Sequence, residues 1–210
     1  MKTSLVYYNS SIYSLMIKFL YGKNYTDRFL EILKEMDDRD CTVLDVCSGD
    51  CALYKIAFKG NKKIQYKGID INEVFIREAR NKNIDVTFCD VMINEIPKAD
   101  YVVLQGSLYQ FHPNCEMILR KLFDSANKKL IISEPVRNLS SSSSSLISFF
   151  SRFSADPGDG HKTYRFNKVS LKQLFEKSFA GLDISVREIP GGRDLILSVV
   201  KDKEWSLNET

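Results

Sequence analysis

Three short apolar runs, each reaching an aspartate and each parted from the next by a helix-patterned stretch, constrain this chain more than anything else in it. Thr42–Val46 carries Asp45, Lys63–Ile69 ends at Asp70, and Asp85–Phe88 ends at Cys89-Asp90. Between them lie helix patterns at Ala52–Phe58 and Glu73–Asn81, the second with Asn72 as its N-cap. Two further apolar runs, Tyr101–Leu104 and Leu130–Ser133, flank a helix at Cys115–Ala126. Strands that alternate with helices need crossover connections, and crossovers make a parallel sheet covered on both faces. After a helix at Val169–Phe179, the strands Leu182–Glu188 and Asp194–Val200 are joined by Pro190-Gly191-Gly192, a link short enough for a hairpin. Helices at Ile12–Leu20 and Tyr25–Met36 precede everything. The expected fold is α/β: a three-layer sandwich on a mostly parallel seven-stranded sheet with a C-terminal antiparallel hairpin strand.

In such sheets ligands bind beyond the carboxyl ends of the strands, where strand order reverses. The residues collected there are Asp45 with Cys47, Ser48 and Gly49, then Asp70 with Ile71, Asp90 with Val91, and Gln105-Gly106-Ser107. A single aspartate after a strand is a common turn residue. Three in one register describe a shared crevice. One ionised carboxylate accepts from both hydroxyls of a ribose, an adenine amino group needs an acceptor such as Asp90, and Asp45 sits where an ammonium group would be met. Gly49 lets the backbone approach a ligand with no Cβ in the way.

At these residues the sequence resembles the class I, Rossmann-like S-adenosylmethionine-dependent methyltransferases. Val43–Leu53 (VLDVCSGDCAL) looks like their first motif, Tyr66–Asn72 (YKGIDIN) their second, Val86–Val91 (VTFCDV) their third, and Asp100–Phe111 (DYVVLQGSLYQF) their fourth strand and the loop beneath the methyl donor. One departure stands out: where the family loop alternates three glycines, this chain has Cys47, Gly49 and Cys51. The resemblance implies S-adenosyl-L-methionine as cofactor and S-adenosyl-L-homocysteine as product. It also implies a cofactor site built from Asp45, Cys47, Ser48, Gly49, Asp70, Ile71, Asp90, Val91, Gln105 and Gly106. Helices before the first strand often fold over the cofactor in that family, which makes Tyr13 and Tyr21 further contacts.

Methyl transfer asks a protein to align nucleophile and methyl group and to exclude water, with a base only for a protonated nucleophile. Tyr109, His112 and Glu134, placed after the fourth and fifth strands, are the catalytic candidates. Residues 135–168 make a connection far longer than usual. It holds Arg137, which could clamp an anion, the apolar Phe149 and Phe150, and His161, all assigned here to substrate binding as a lid over a small-molecule or lipid-like acceptor. Arg152 beside the same apolar run would also suit a peripheral membrane contact. The expected organisation is one methyltransferase domain over 1–210. Its parts are a helical cap (1–40), a cofactor-binding half (41–134), the insertion (135–168), and a terminal helix and hairpin (169–201).

Composition closes other routes. A net charge of +3 argues against nucleic acid as an obligate partner. The Cys47/Cys51 pair lacks the second Cys/His pair of a zinc site, so no metal is expected. Five cysteines fit a reducing compartment, and the start of the chain lacks signal-peptide and membrane-span patterns, so a cytoplasmic protein is expected. Two other functions remain readable: a non-catalytic S-adenosylmethionine-binding protein, and an NAD-dependent oxidoreductase. The second wants G-x-G-x-x-G after the first strand, where this chain has CSGDCA.

Overall fold

The computed structural model describes residues 10–37, 40–136 and 164–201. Seven strands form one sheet: β1 (Cys41–Val46), β2 (Ile64–Asp70), β3 (Val86–Phe88), β4 (Ala99–Gln105), β5 (Ala126–Pro135), β6 (Ile184–Glu188) and β7 (Asp194–Val200). Their order is β3-β2-β1-β4-β5-β7-β6. Neighbours from β3 through β5 pair in parallel, while β7 runs antiparallel to both β5 and β6. The expected fold class is borne out, down to the hairpin that supplies the antiparallel strand. Strand order reverses between β2-β1 and β4, so the crevice lies at the carboxyl ends of β1 and β4.

The two faces of the sheet follow from alternation along the strands. Val43, Tyr101, Val103, Ile131 and Ile196 pack on one face against Phe29 and Ile32 of α2 (Asp27–Lys34) and against Leu53 and Phe58. Leu44, Val102, Leu104, Leu130 and Ile132 pack on the other against α4 (Cys115–Ser125) and α5 (Lys168–Ser178). A smaller cluster places α3 (Glu73–Arg80) over Val86 and Cys51. Asn72 caps α3 as expected, accepting from the Val74 and Phe75 amides at 2.9 and 3.3 Å.

Two helices differ from expectation. The stretch after the first loop is a π-helical turn, Tyr54–Phe58, in which the Lys59 amide reaches back to the Tyr54 carbonyl at 2.7 Å. The segment from Tyr25 starts later, at Asp27, because a 3-10 turn over Gly22–Asn24 intervenes after α1 (Ser10–Tyr21). No helix among the described residues is long and apolar enough to cross a membrane.

Two ionic latches hold α2 across the sheet. Arg28 binds Asp194 at 2.7 Å, and Arg187 of β6 binds both Glu31 and Glu35. Arg28 and Glu31 of α2 and its C-cap residue Glu35 lie at helical spacing, so one side of a short helix is fastened to the terminal hairpin.

Candidate active site

The first loop decides the shape of the crevice. Cys47, Gly49 and Cys51 all adopt left-handed backbone, with φ of 56°, 52° and 58°. The alternating left-handed pattern is therefore kept although two of its three positions carry a side chain. A non-glycine residue there costs about 1–2 kcal/mol, so the loop stores strain at Cys47 and Cys51. Burial, followed by the fields of Asp70 and Asp45, pushes the Cys47 thiol well above its usual range. The loop sits down on β2, with the Ser48 amide on the Ile69 carbonyl at 3.1 Å.

Asp70 closes β2 directly beneath that loop. Its carboxylate accepts the Gly49 amide at 2.8 Å and the Asn72 amide at 2.8 Å. A carboxylate offers about four acceptor positions, so lone pairs remain for outside donors. Burial raises its pKa, and the backbone amides of Asn72, Gly49 and Ile71 work against the rise. Beside it the apolar side chains Ile71, Phe88 and Ile93 stand largely exposed, at 57%, 58% and 79%. Asp90 is turned into its own loop, accepting the Met92 amide at 2.9 Å, while its amide binds the Asn94 side chain. Tyr13 of α1 passes over the loop, near Gly49, and its ring lies 5.5 Å from that of Phe75.

The other flank of the crevice is formed after β4. Gly106 has φ 62°, and its amide binds the Ser133 carbonyl at 2.7 Å. Arg28 lies over it: a Cβ at Gly106 would stand 3.5 Å from an Arg28 terminal nitrogen. Arg28 is 7% exposed and Asp194 1%. Its guanidinium carbon stacks 3.7 Å from the Tyr21 ring centroid, and the Tyr21 hydroxyl donates to Asp194 at 3.0 Å. The ion pair uses Nε of Arg28. Among the described residues, three buried side-chain atoms, Ser48 Oγ, Gln105 Nε2 and Ser133 Oγ, have no hydrogen-bond partner. Unpaired buried polar atoms cost free energy, and Gln105 and Ser133, paired at the ends of β4 and β5, place two of them beside Gly106 where a ligand's polar atoms would satisfy them.

Several expected residues are placed differently from their assigned roles. Asp45 is 3% exposed and accepts the Tyr66 hydroxyl at 2.8 Å, beneath the loop rather than at its mouth; burial lifts its pKa to about 7. Glu134 is 0% exposed, and its oxygens accept the Leu108 and Tyr109 amides at 3.0 and 3.3 Å. It holds the 3-10 turn Leu108–Phe111 in place and does not face the crevice as a base would; burial lifts its pKa to about 8. Val91 turns its side chain into the core, because the turn after β3 directs Met92 and Ile93 outward instead. Tyr21 serves the Arg28–Asp194 pair. His112 is exposed and stacks on Tyr164, with ring centroids 3.9 Å apart. Tyr109 is half-buried under Arg165. Arg137, Phe149, Phe150 and His161 lie outside the described residues.

A model of a methyltransferase domain matches residues 37–150. The chain belongs to that methyltransferase family. The matched span holds all four motifs of the rim, from the loop after β1 to the turn after β4. No curated protein matches the sequence of this family member. Solved structures share its fold at low identity. Magnesium protoporphyrin IX methyltransferase from Synechocystis PCC 6803, with bound SAH, is 15% identical over 93% of this chain and 97% of that one, with a TM-score of 0.60. The plantazolicin methyltransferase BamL, in complex with a triazolic desmethylPZN analog and SAH, is 16% identical over 92% and 91%, at 0.68. Human N-acetylserotonin methyltransferase, in complex with SAM, is 14% identical at 0.63; the chain, 94% covered, spans 58% of that protein.

Proposed function

We propose that this chain transfers the methyl group of S-adenosyl-L-methionine to a small-molecule acceptor. The observation that carries the reading is Asp70: the Gly49 amide locks its carboxylate to the left-handed loop at the switch point, with acceptor positions left over. Two hydroxyl donors on one ribose match those positions.

When bound, the cofactor supplies a methyl carbon activated by a sulfonium leaving group. Around it, each residue has a separable task. Asp70 accepts the ribose hydroxyls. Ile71, Phe88 and Ile93 offer apolar surface to a purine, and Asp90 an acceptor beside it. Arg28 and the orphaned Gln105 Nε2 are donors suited to the amino-acid carboxylate. Glu134 keeps Tyr109 on the rim by holding its amide. Asp45 and Tyr66 support the loop from below. The residues thus fit the group: an apolar surface beside a ribose-type acid, with the Arg28 guanidinium over Gly106, suits a charged nucleoside.

The test is calorimetry with S-adenosyl-L-homocysteine, followed by incubation of protein, tritiated methyl donor and a metabolite mixture. Saturable binding with a labelled product supports methyl transfer. Binding with no label transferred across a wide panel favours a non-catalytic cofactor-binding protein, and preference for NADH would return the oxidoreductase reading.

A further inference from the structure

A second guanidinium stands at the rim, on the opposite face of the sheet from Arg28. Arg165 lies with its guanidinium carbon 4.2 Å from the centroid of Tyr109, three residues past Gly106. Its neighbours fix it there. Tyr164 stacks on His112 at 3.9 Å and 11°, and Phe166 is buried in the core, edge-on to Tyr164 at 4.9 Å. An arginine between two anchored aromatics is held in position rather than sweeping through solvent.

Among the described residues no hydrogen bond or ion pair engages its guanidinium; the Tyr109 ring is its close contact. Glu134 feels its charge, yet both Glu134 oxygens are occupied by the Leu108 and Tyr109 amides. Burial raises the pKa of that carboxyl to about 8, which weakens its pull on Arg165. A half-buried guanidinium held in place offers several of its five donors at once to an incoming anion. Arg28 and Asp70 lie on the α2 side, so the proposed cofactor assignment leaves Arg165 unused. Tyr109 and Arg165 stand after β4, on the flank of the rim away from Arg28 and Asp70.

We propose that Arg165, seated on Tyr109 at the carboxyl rim of β4, binds a carboxylate or phosphate group of the methyl acceptor. Only the word acceptor rests on the methyl-transfer reading; the anion site stands on the geometry of Arg165 alone.

The probes are benzoate, phenyl phosphate and neutral benzamide, titrated by calorimetry into full-length protein saturated with S-adenosyl-L-homocysteine, which fills the Arg28 side. The charged probes should bind about tenfold or more tighter than benzamide, the usual gain of a charge-assisted contact. Which of the two binds better separates a carboxylate site from a phosphate site. Arg165→Met, which keeps an apolar chain on Tyr109, should erase that preference while leaving S-adenosyl-L-homocysteine affinity and thermal midpoint unchanged; Arg165→Lys should keep part of it. Equal binding of benzoate, phenyl phosphate and benzamide by the native protein, or an unchanged preference in Arg165→Met, overturns the proposal. If S-adenosyl-L-homocysteine itself fails to bind, the methyl-transfer reading falls. The same titrations in ligand-free protein, native against Arg165→Met, then still decide the anion site.

Discussion

Replacing Asp70 by asparagine strikes the one group on which the proposed cofactor site rests. The carboxylate accepts the Gly49 and Asn72 amides and keeps lone pairs for a ribose. An amide has one oxygen in place of two, so one acceptor position toward the ribose becomes a donor facing a donor. A hydrogen bond to a charged group contributes about 1.5–3 kcal/mol. Losing one, and weakening the other by removing the charge, should cost about 2–3 kcal/mol, or about 30- to 150-fold in Kd. The assay is calorimetric titration of S-adenosyl-L-homocysteine and of its 2′-deoxyribose analogue into native and Asp70→Asn protein. The native protein should lose about tenfold on removal of the 2′-hydroxyl, and the variant much less, because its partner is already gone. Circular dichroism confirms the variant is folded, since relief of a buried charge offsets part of the lost amide contacts. A folded Asp70→Asn protein that binds within threefold of native would refute the assignment. So would an equal 2′-hydroxyl effect in both proteins.

Three other outcomes follow from the same geometry. Cys47→Gly removes left-handed strain of about 1–2 kcal/mol against a glycine chain-entropy cost of about 0.5–1 and the loss of a side chain packed on the core; urea denaturation should show a gain of no more than about 0.5 kcal/mol. Cys51→Gly, which also removes a fully buried side chain, should show none. Arg28→Met strands the buried Asp194 without its cation and should cost about 3 kcal/mol of stability in urea, with part recovered in the Arg28→Met/Asp194→Asn double variant; cofactor affinity should fall in both. Between pH 5 and 8 stability should decline as pH rises. Burial holds Asp45 and Glu134 protonated up to about 7 and about 8, while the unfolded chain ionises them near 3.8 and 4.5, so folding takes up protons across that window. Glu31 and Glu116, whose pKa values are lowered by their cationic partners, act only near and below the ordinary carboxylate range. The urea midpoint measured against pH should fall, with a shallower slope in Glu134→Gln; a flat or rising native profile would contradict the burial argument.

What the sequence made legible was whatever depends on neighbours along the chain. Asp70 and Asp90 end apolar runs, Asn72 precedes an amphipathic stretch, and Pro190-Gly191-Gly192 is too short for anything but a hairpin; all three follow local rules. Even the loop's departure from its family was readable, as was its odd pairing of cysteine with glycine. Arg28 was missed because an arginine in a short amphipathic helix ordinarily faces water. Its burial depends on Asp194, 166 positions away. The roles of Asp45, Glu134 and Val91 turn on which way a side chain points off a strand end. That direction is decided by Tyr66, by the amides of the Leu108 turn, and by the register of the turn after β3. Arg165 was equally hidden, since only the fold brings it onto Tyr109.

The Arg28–Asp194 latch gives the molecule an order of assembly. A growing polypeptide can form the loop, Asp70 and Asp90 soon after the first three strands leave the ribosome, yet α2 cannot be pinned until the final hairpin emerges. Until then the roof of the crevice is a helix without either ionic latch to the hairpin, with Arg28 lacking its counter-charge. On the proposed assignment, a nascent chain stalled before Asp194 would display Asp70 and Asp90 but lack the latched Arg28, so that the complete site arrives only with the last strand.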